Sequence, residues 1–586
     1  MSENFADVIR KNSVNLGNRE ALTFIHDLDS SGGWQSLTYK ELDRRARSVA
    51  SALLKRCRPG DRALLLYPEG LDFAVAFVGC LYAGVVAVPS PLPGRYKHHQ
   101  RRVSAIATDA RVSVVLTDAH SLAGVEEWAA GAGRPRSAVL DTGTIQAPAL
   151  DPQELPALDT GSVALLQYTS GSTGNPKGVV ITHGNLVANV DSLGRAFGLD
   201  ADTRFGSWIP HYHDMGLMGI LLPPLYLGGS CVQMSPTTFL KRPHWWLRMV
   251  DEFDIHWTAG PNFAYELCSR RITDEQLAGL DLSRLKFACN GSEPVQAATL
   301  TAFAKRFAAT GLRAEALNPS YGMAEATVFV SGSGHRKPVV ARVNEARLAA
   351  GTLEPTAMSR NARELISCGW PADYDVKIVD PRTAAELPDG TVGEIWLRGP
   401  SVALGYWGND EATASTFRAQ PAGGEQGAAD GGYLRTGDLG ATLDGELYIT
   451  GRLKEMLIVR GRNLFPQDIE YEVRSHHPEL QGLFGAAFTV PVRDADGAEE
   501  DLLVLVHELR GRRTENELKT LATAVRRTVA QQFGTHLAGL QLVPRGSVPR
   551  TTSGKIQRLG ARDAFRAREG KPLFSAVEAR LDRALS

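Results

Sequence analysis

From Arg62 to Val330 the chain alternates apolar, β-branched runs with stretches of helical character: "RALLLY", "GVVAVPS", "VSVVLTD", "SVALLQY", "GSCVQM", "IHWTAG" and "RLKFACNG". Strands that recur after helices pair in parallel, so the pattern predicts a largely parallel sheet covered by helices. No internal repeat accompanies it. At 586 residues the chain exceeds what a single hydrophobic core organises, and two or more domains are expected.

From Ser367 the pattern shortens. "VKIVD", "GEIWLRG" and "GELYIT" read as short alternating strands separated by "PDG" and "DG" turns, which predicts a small β-rich subdomain. Ala419 to Gly432, "AQPAGGEQGAADGG", has the composition of a surface loop. After "TGRLK" a compact α+β stretch of roughly 130 residues has the usual size of a separate domain. The division is therefore residues 1–452 and 453–586.

Bulk composition excludes little but excludes it clearly. With 43% hydrophobic residues, 22% charged and a formal net charge of −1, nucleic acid is not expected as the main partner. The N-terminal "MSENFADVIRKNS" has no apolar h-region, so no secretory signal is read there. The longest apolar run, Phe73 to Val88, is short for a bilayer span and contains Gly79 and Gly84, so it reads as a buried helix and strand. Six widely spaced cysteines, Cys57, Cys80, Cys231, Cys268, Cys289 and Cys368, predict free buried thiols and a reducing cytoplasm. His211 and His213 are spaced H-x-H, but no further ligand pair completes a zinc site.

Charge divides within the C-terminal part. Residues 509–586 hold 16 Lys and Arg against 6 Asp and Glu, whereas residues 453–508 hold 5 against 11. The basic half is either a solvated face or a surface that steers an acidic partner.

Chemistry-bearing residues gather in a few short stretches. "QYTSGSTGNPKGVV", Gln167 to Val180, sets hydroxyls, glycines and one lysine between apolar runs. Backbone N–H groups, Ser/Thr hydroxyls and a point charge make a phosphate cradle. It is not a Walker A loop, because Lys177 lies between Pro176 and Gly178. By itself such a stretch is equally a surface turn. "NPSYGMAEATVF" places Tyr321 and Glu325 four residues apart around Gly322, a ring that can stack on a base and a carboxylate that can hold Mg²⁺ against phosphate oxygens. "YLRTGDLG" presents Asp438 in a tight turn suited to ribose hydroxyls, and "ITGRLKEMLIVRGRNLFPQDIE" adds Arg452. "PRTTSGKIQR" is a second Gly/Ser/Thr loop with Lys555 at its tip.

Taken in this order and spacing, with "IPHYHDMGL", "GPNFAYELC", "NGSEPV", "LISCG" and "GEIWLRGPSVALGYW", the chain resembles the adenylate-forming superfamily of acyl- and aryl-CoA synthetases, adenylation domains and luciferases. Within it the chain looks most like a fatty acyl-AMP ligase, over about Leu37 to Arg558. The resemblance implies an α/β fold: a large N-terminal domain of parallel α/β subdomains plus the small β-rich one, followed by a small mobile α+β domain carrying a catalytic lysine. It implies that Thr169, Ser170, Gly171, Ser172, Thr173, Gly174 and Lys177 close over the β- and γ-phosphates of ATP. Gly291, Ser292 and Glu293 match the adenine segment, Tyr321, Gly322 and Met323 the base-stacking segment, and Glu325 the Mg²⁺ ligand. Asp438 and Arg452 would hold the ribose, Lys555 would bridge the substrate carboxylate and the α-phosphate, His213 would gate the acyl-phosphate site, and Lys454 would be the hinge. Ala324 replaces the threonine that much of the superfamily carries, as is usual in acyl-AMP ligases.

The implied activity is ATP-dependent adenylation of a medium- or long-chain fatty acid, then transfer to the phosphopantetheine thiol of an acidic acyl carrier protein for polyketide or lipopeptide synthesis. No protein nucleophile is required, so a covalent role for Ser170 or Ser172 is a minor reading. The alternatives are a fatty acyl-CoA synthetase and, further off, an amino-acid or aryl-acid adenylating enzyme. Residues 331–364 are long and weakly periodic, a candidate for the insertion that sets the acyl-AMP ligases apart. "GLMGILLPPLYLGG" and "HWTAGPNFAYELC" are candidate walls for an alkyl chain. Asp214, just ahead of the first of these, reads as a helix N-cap rather than an amino-group anchor.

Overall fold

The computed structural model describes residues 3–585 apart from 95–96, 134–137, 170–175, 358–361, 424–431, 460–461, 494–498 and 552–553. The strand–helix alternation resolves into two sheets rather than one. In the first, Arg204–Ser207, Ser230–Met234, Glu20–Ile25, Trp257–Gly260, Phe287–Asn290 and Leu317–Gly322 run parallel, with antiparallel Trp34–Thr38 and Phe329–Gly332 at the two edges. In the second, Val139–Asp141, Val114–Thr117, Arg62–Leu66, Val86–Ser90 and Val163–Thr169 are parallel and Lys177–Thr182 closes the edge antiparallel. Parallel strands demand cover on both faces, which is why these runs are apolar throughout.

The Phe73 to Val88 run is the buried helix Leu71–Ala83 followed by the strand Val86–Ser90. Every residue of that helix from Phe73 onward is buried, and it packs closely on the helix Tyr39–Leu54. A Cβ on Gly79 would lie 2.7 Å from the Val49 side chain, so only glycine permits this approach. All six cysteines are free and buried.

The β-rich stretch is a four-stranded antiparallel sheet of Asp375–Val379, Gly393–Arg398, Leu434–Leu443 and Glu446–Arg452. Residues 331–364 contribute the strand Val340–Asn344, which pairs antiparallel with Ala362–Ile366, and the short helix Glu345–Ala349.

Beyond Leu457 the chain forms its own cores, on the two faces of the sheet Gly485–Arg493, Glu499–Leu509, Gly539–Pro544 and Phe574–Val577. Helices Pro466–His476 and Glu515–Phe533 pack on one face and Arg558–Arg566 on the other. The junction with the preceding sheets is polar. Arg363 meets Asp468 at 2.6 Å and Arg474 meets Glu266 at 3.6 Å. Arg558, with its side chain 15% exposed, pairs with Glu470 at 2.8 Å and with Glu455, which immediately follows Lys454. Lys454 itself sits in the 3-10 turn Leu453–Glu455 that leaves the strand Glu446–Arg452.

Removing Arg558 strands the buried carboxylate of Glu470 and leaves the half-buried Glu455 without this partner. Arg558→Ala is expected to cost about 3–5 kcal/mol, whereas Arg562→Ala, whose partner Asp563 is solvent-exposed, should stay within roughly 0.5 kcal/mol. Urea unfolding of the two variants, followed by limited proteolysis of residues 457–585, checks the difference.

Candidate active site

The residues singled out above converge where the carboxyl ends of both parallel sheets face the C-terminal part. Thr169 ends one strand and Lys177 begins the next, and the two are directly paired across the antiparallel ladder. Ser170, Gly171, Ser172, Thr173 and Gly174 lie outside the described residues. Beyond this hairpin the helix His183–Phe197 starts with a reciprocal cap between Thr182 and Asn185, which fixes the outgoing strand.

Lys177 is held from an unexpected direction. Leu404 and Trp407 form backbone bonds to the Lys177–Thr182 strand, and this zipper brings the Tyr406 ring beneath the Lys177 ammonium, 4.7 Å from the centroid. The Tyr406 hydroxyl donates to Glu325 Oε1 at 2.9 Å. Glu325 sits in the 3-10 turn Ala324–Ala326, and burial pushes its carboxyl above the ordinary value against the opposing pull of its own backbone N–H and of Tyr406. Tyr406 thus couples the cradle lysine to the candidate metal carboxylate. Nothing in the sequence of the "GYW" stretch, Gly405 to Trp407, assigns it this role. The signal available there was an aromatic ring following a glycine, too common to read alone.

A second group lines a cavity of about 250 Å³ between the sheets and the C-terminal part. Ser292, Glu293, Tyr321, Gly322, Asp438, Arg452 and Lys555 all border it. Tyr321 donates its hydroxyl to Asp438 Oδ2 at 2.8 Å, and Arg452 Nε donates to Asp438 Oδ1 at 3.0 Å. Asp438 is buried while Arg452 is 57% exposed, so the guanidinium opens onto the cleft. Gly322 cannot carry a side chain, because a Cβ there would lie 1.8 Å from the Val328 carbonyl oxygen. Ser292 holds the left-handed backbone at φ +67°, an arrangement uncommon outside glycine. Glu293 accepts the Phe263 N–H at 2.6 Å, and burial raises its pKa. Gly291 and Met323 flank these two segments, Gly291 bordering the apolar cavity next to Ser292.

Lys555 also borders a smaller cavity of about 90 Å³, together with Thr169, His213, Asp214 and Ala324. Its loop is closed by the Thr551 N–H donating to the Lys555 carbonyl and the Lys555 N–H donating to Thr551 Oγ1. Burial lowers the Lys555 pKa, opposed by the charge of Asp214. His213 Nδ1 lies 2.6 Å from Asp214 Oδ1. Burial works against ionisation of Asp214, but His213, Lys555 and the Met215 N–H hold its carboxyl well below the usual range. Asp214 is not the N-cap expected from the sequence. His213 occupies the cap position and Asp214 begins the helix Asp214–Gly216, because its carboxylate folds back on the Met215 N–H and on His213. His211 points elsewhere, stacking on Phe73 at 3.8 Å, and burial pushes it down to about 3. Among the described residues no cluster of three or more His, Cys, Asp or Glu could hold a metal by itself.

Such an arrangement gathers cations, Lys555 and the Lys177 paired with Thr169, at one cavity, and a ring, a carboxylate and a guanidinium, Tyr321, Asp438 and Arg452, at the other. The AMP-binding enzyme family model matches residues 9–407. The chain belongs to that family. It is 40% identical to a medium-chain-fatty-acid–[acyl-carrier-protein] ligase, JamA, of Moorena producens, over 95% of this chain and 94% of that protein. It is likewise 40% identical to a long-chain-fatty-acid–AMP ligase, FadD26, of Mycobacterium marinum, over 94% and 95%. Among solved structures it matches a fatty acyl-adenylate ligase from L. pneumophila, in complex with acyl adenylate and pyrophosphate, with a TM-score of 0.73, 32% identity and 98% of each chain covered. ATP is accordingly the nucleotide substrate that this family of sites addresses.

Asp438 is the joint of this second group, since Tyr321 and Arg452 both donate to it. Asp438→Asn keeps the shape and removes the charge, and should weaken adenine-nucleotide binding about tenfold or more, the scale of a charge-assisted hydrogen bond. Calorimetric titration with AMP checks it.

Proposed function

We propose that this chain is a fatty acyl-AMP ligase that adenylates a fatty acid and passes the acyl group to the phosphopantetheine thiol of an acidic acyl carrier protein. What carries the reading is the position of Lys555, delivered by the C-terminal part into one cavity with His213 and Thr169 while it borders the Tyr321–Asp438 cavity as well. A carboxylate oxygen attacks the α-phosphorus, the bond to the β-phosphate breaks, and pyrophosphate leaves. The barrier is the approach of two anions, so cations and donors act by positioning and charge stabilisation rather than by proton transfer. Lys555 bridges the two reactants, Lys177 and the cradle take the departing pyrophosphate, and Tyr321, Glu293, Asp438 and Arg452 fix the nucleoside. His213, oriented by Asp214, borders the acyl carbon. In the second step the thiol sulfur attacks that carbon, the carbon–oxygen bond to phosphate breaks, and AMP departs.

Glu325 fits a Mg²⁺ bound through one carboxylate and substrate phosphates, since Tyr406 donates to its Oε1, leaving Oε2 for the ion. When bound there, the ion neutralises phosphate charge. Six buried thiols support a reducing, cytoplasmic setting. Among the described residues no helix is long and apolar enough to cross a membrane.

Carrier protein rather than coenzyme A is favoured by the 331–364 segment. Its return strand touches the C-terminal part through Arg363 and Asp468, which is where a restraint on domain movement would act. We assign the domain boundary to the turn after Arg452, with Lys454 as the hinge, because the separate cores begin at Leu457.

ATP–pyrophosphate exchange with a fatty acid tests the adenylation step directly. Lys555→Ala should cut it by roughly two orders of magnitude or more, while transfer from supplied acyl-AMP falls far less. Equal losses in both half-reactions would remove Lys555 from its role. Shortening residues 331–364 should raise acyl-CoA formation without changing exchange, and a wild-type protein that already makes acyl-CoA efficiently would favour the CoA-synthetase reading.

A further inference from the structure

A third cavity adjoins the reacting centre. It shares Asp214 and Ser292 with the two described above and is lined beyond them by Met215, Gly219, Val328, Leu193, Phe329 and Trp257, the last at the start of its strand, away from the carboxyl end where the site sits. It is the apolar one of the three, which suits an alkyl chain. It is also small, about 50 Å³.

The far wall is fixed. Trp257 is 3% exposed and stands on Phe205 at 5.3 Å and Phe197 at 6.4 Å, and Phe197 in turn backs Phe329 at 5.5 Å. Trp257 opens a central strand of the large sheet, paired with Phe205 on one side and Phe287 on the other. An indole held by both neighbours and by a ring cluster cannot swing aside as a loop residue could. The near wall has some slack: a Cβ on Gly219 would meet Val328 and Met215 at 3.7 and 3.8 Å, ordinary contact distances.

We propose that Trp257 closes the acyl pocket and sets a short upper limit on the acids that the enzyme adenylates. This rests on the adenylation reading and narrows its substrate to the short end of the medium-chain range. A single methylene too many in a closed apolar pocket is worth about 10–200-fold in kcat/KM, so the limit should be sharp.

The experiment is ATP–pyrophosphate exchange with butanoate, hexanoate, octanoate, dodecanoate and hexadecanoate. Wild type should prefer hexanoate over dodecanoate by at least roughly tenfold. Trp257→Ala, or Trp257→Leu should the alanine variant not fold, should raise kcat/KM for dodecanoate at least about tenfold and leave KM for ATP in place. Gly219→Ala should act oppositely, depressing hexanoate about tenfold while butanoate is retained. A wild-type profile that is flat or rises towards dodecanoate overturns the inference alone, as does an unchanged profile in the Trp257 variants. Exchange with none of the acids overturns the adenylation reading, and the inference falls with it.

Discussion

In the mechanism proposed above, everything at the site depends on placing one ammonium group, that of Lys555, between two anions. Lys555 lies on a loop whose own core is separate from that of residues 5–447, so its position is set by how the two parts meet rather than by local packing. Arg558, three residues on, supplies the fixture. It reaches back to Glu455 in the turn that joins the parts and across to Glu470 on the first helix of the C-terminal part. The loop that carries the cation is thereby tied to the turn about which its domain would rotate. A charge that needs sub-ångström placement for chemistry is held by a bidentate guanidinium–carboxylate contact, the side-chain pair with the best-defined geometry.

The opposite wall obtains its precision from strand ends. Thr169, Asn290 and Gly322 each end a strand at the same edge of the molecule, and the segments that follow carry the cradle, the Ser292–Glu293 turn and Glu325. Open α/β sheets place ligands there because side chains beyond the last ladder bond are free of the sheet but anchored by it. Tight backbone at Gly322 and the left-handed Ser292 mark where ordinary strand geometry gives way to site geometry.

The strand–helix alternation, the antiparallel subdomain and the separate final part were all legible in the sequence, because period and turn chemistry are local properties. The division into two sheets was legible only through the resemblance, which implies parallel α/β subdomains, and not in the alternation itself, since strand pairing joins distant segments such as Glu20–Ile25 and Ser230–Met234. The candidate residues were legible as a set through short motifs, and the structure brings Tyr321, Asp438, Arg452, Glu293 and Lys555 around one cavity. Tyr406 was missed because its role comes from a backbone zipper between residues 404–407 and 178–180, far apart in the chain. Asp214 was misread as a cap because a sequence cannot show that its carboxylate pairs with the adjacent His213. The limit set by Trp257 was equally hidden: "HWTAG" reads as a buried strand whichever face the indole takes.

The uneven charge of the C-terminal part finds half of its physical meaning in the junction. Its acidic portion, residues 453–508, supplies Glu455, Asp468 and Glu470, which take Arg363 from the preceding sheets and Arg558 from the catalytic loop. Burial pushes Asp468 up to about 6 even with Arg363 against it, so this contact spends desolvation on both partners and gains little net stability. That is the energetics of a junction that is able to open, since an apolar interface of the same area would hold it shut. Within the basic portion Arg512, Arg513, Arg527, Arg545 and Arg566 are exposed. Exposed cations of this kind would draw an acidic carrier by long-range attraction. A chain with near-zero net charge thus keeps a local excess of one sign on residues 509–586.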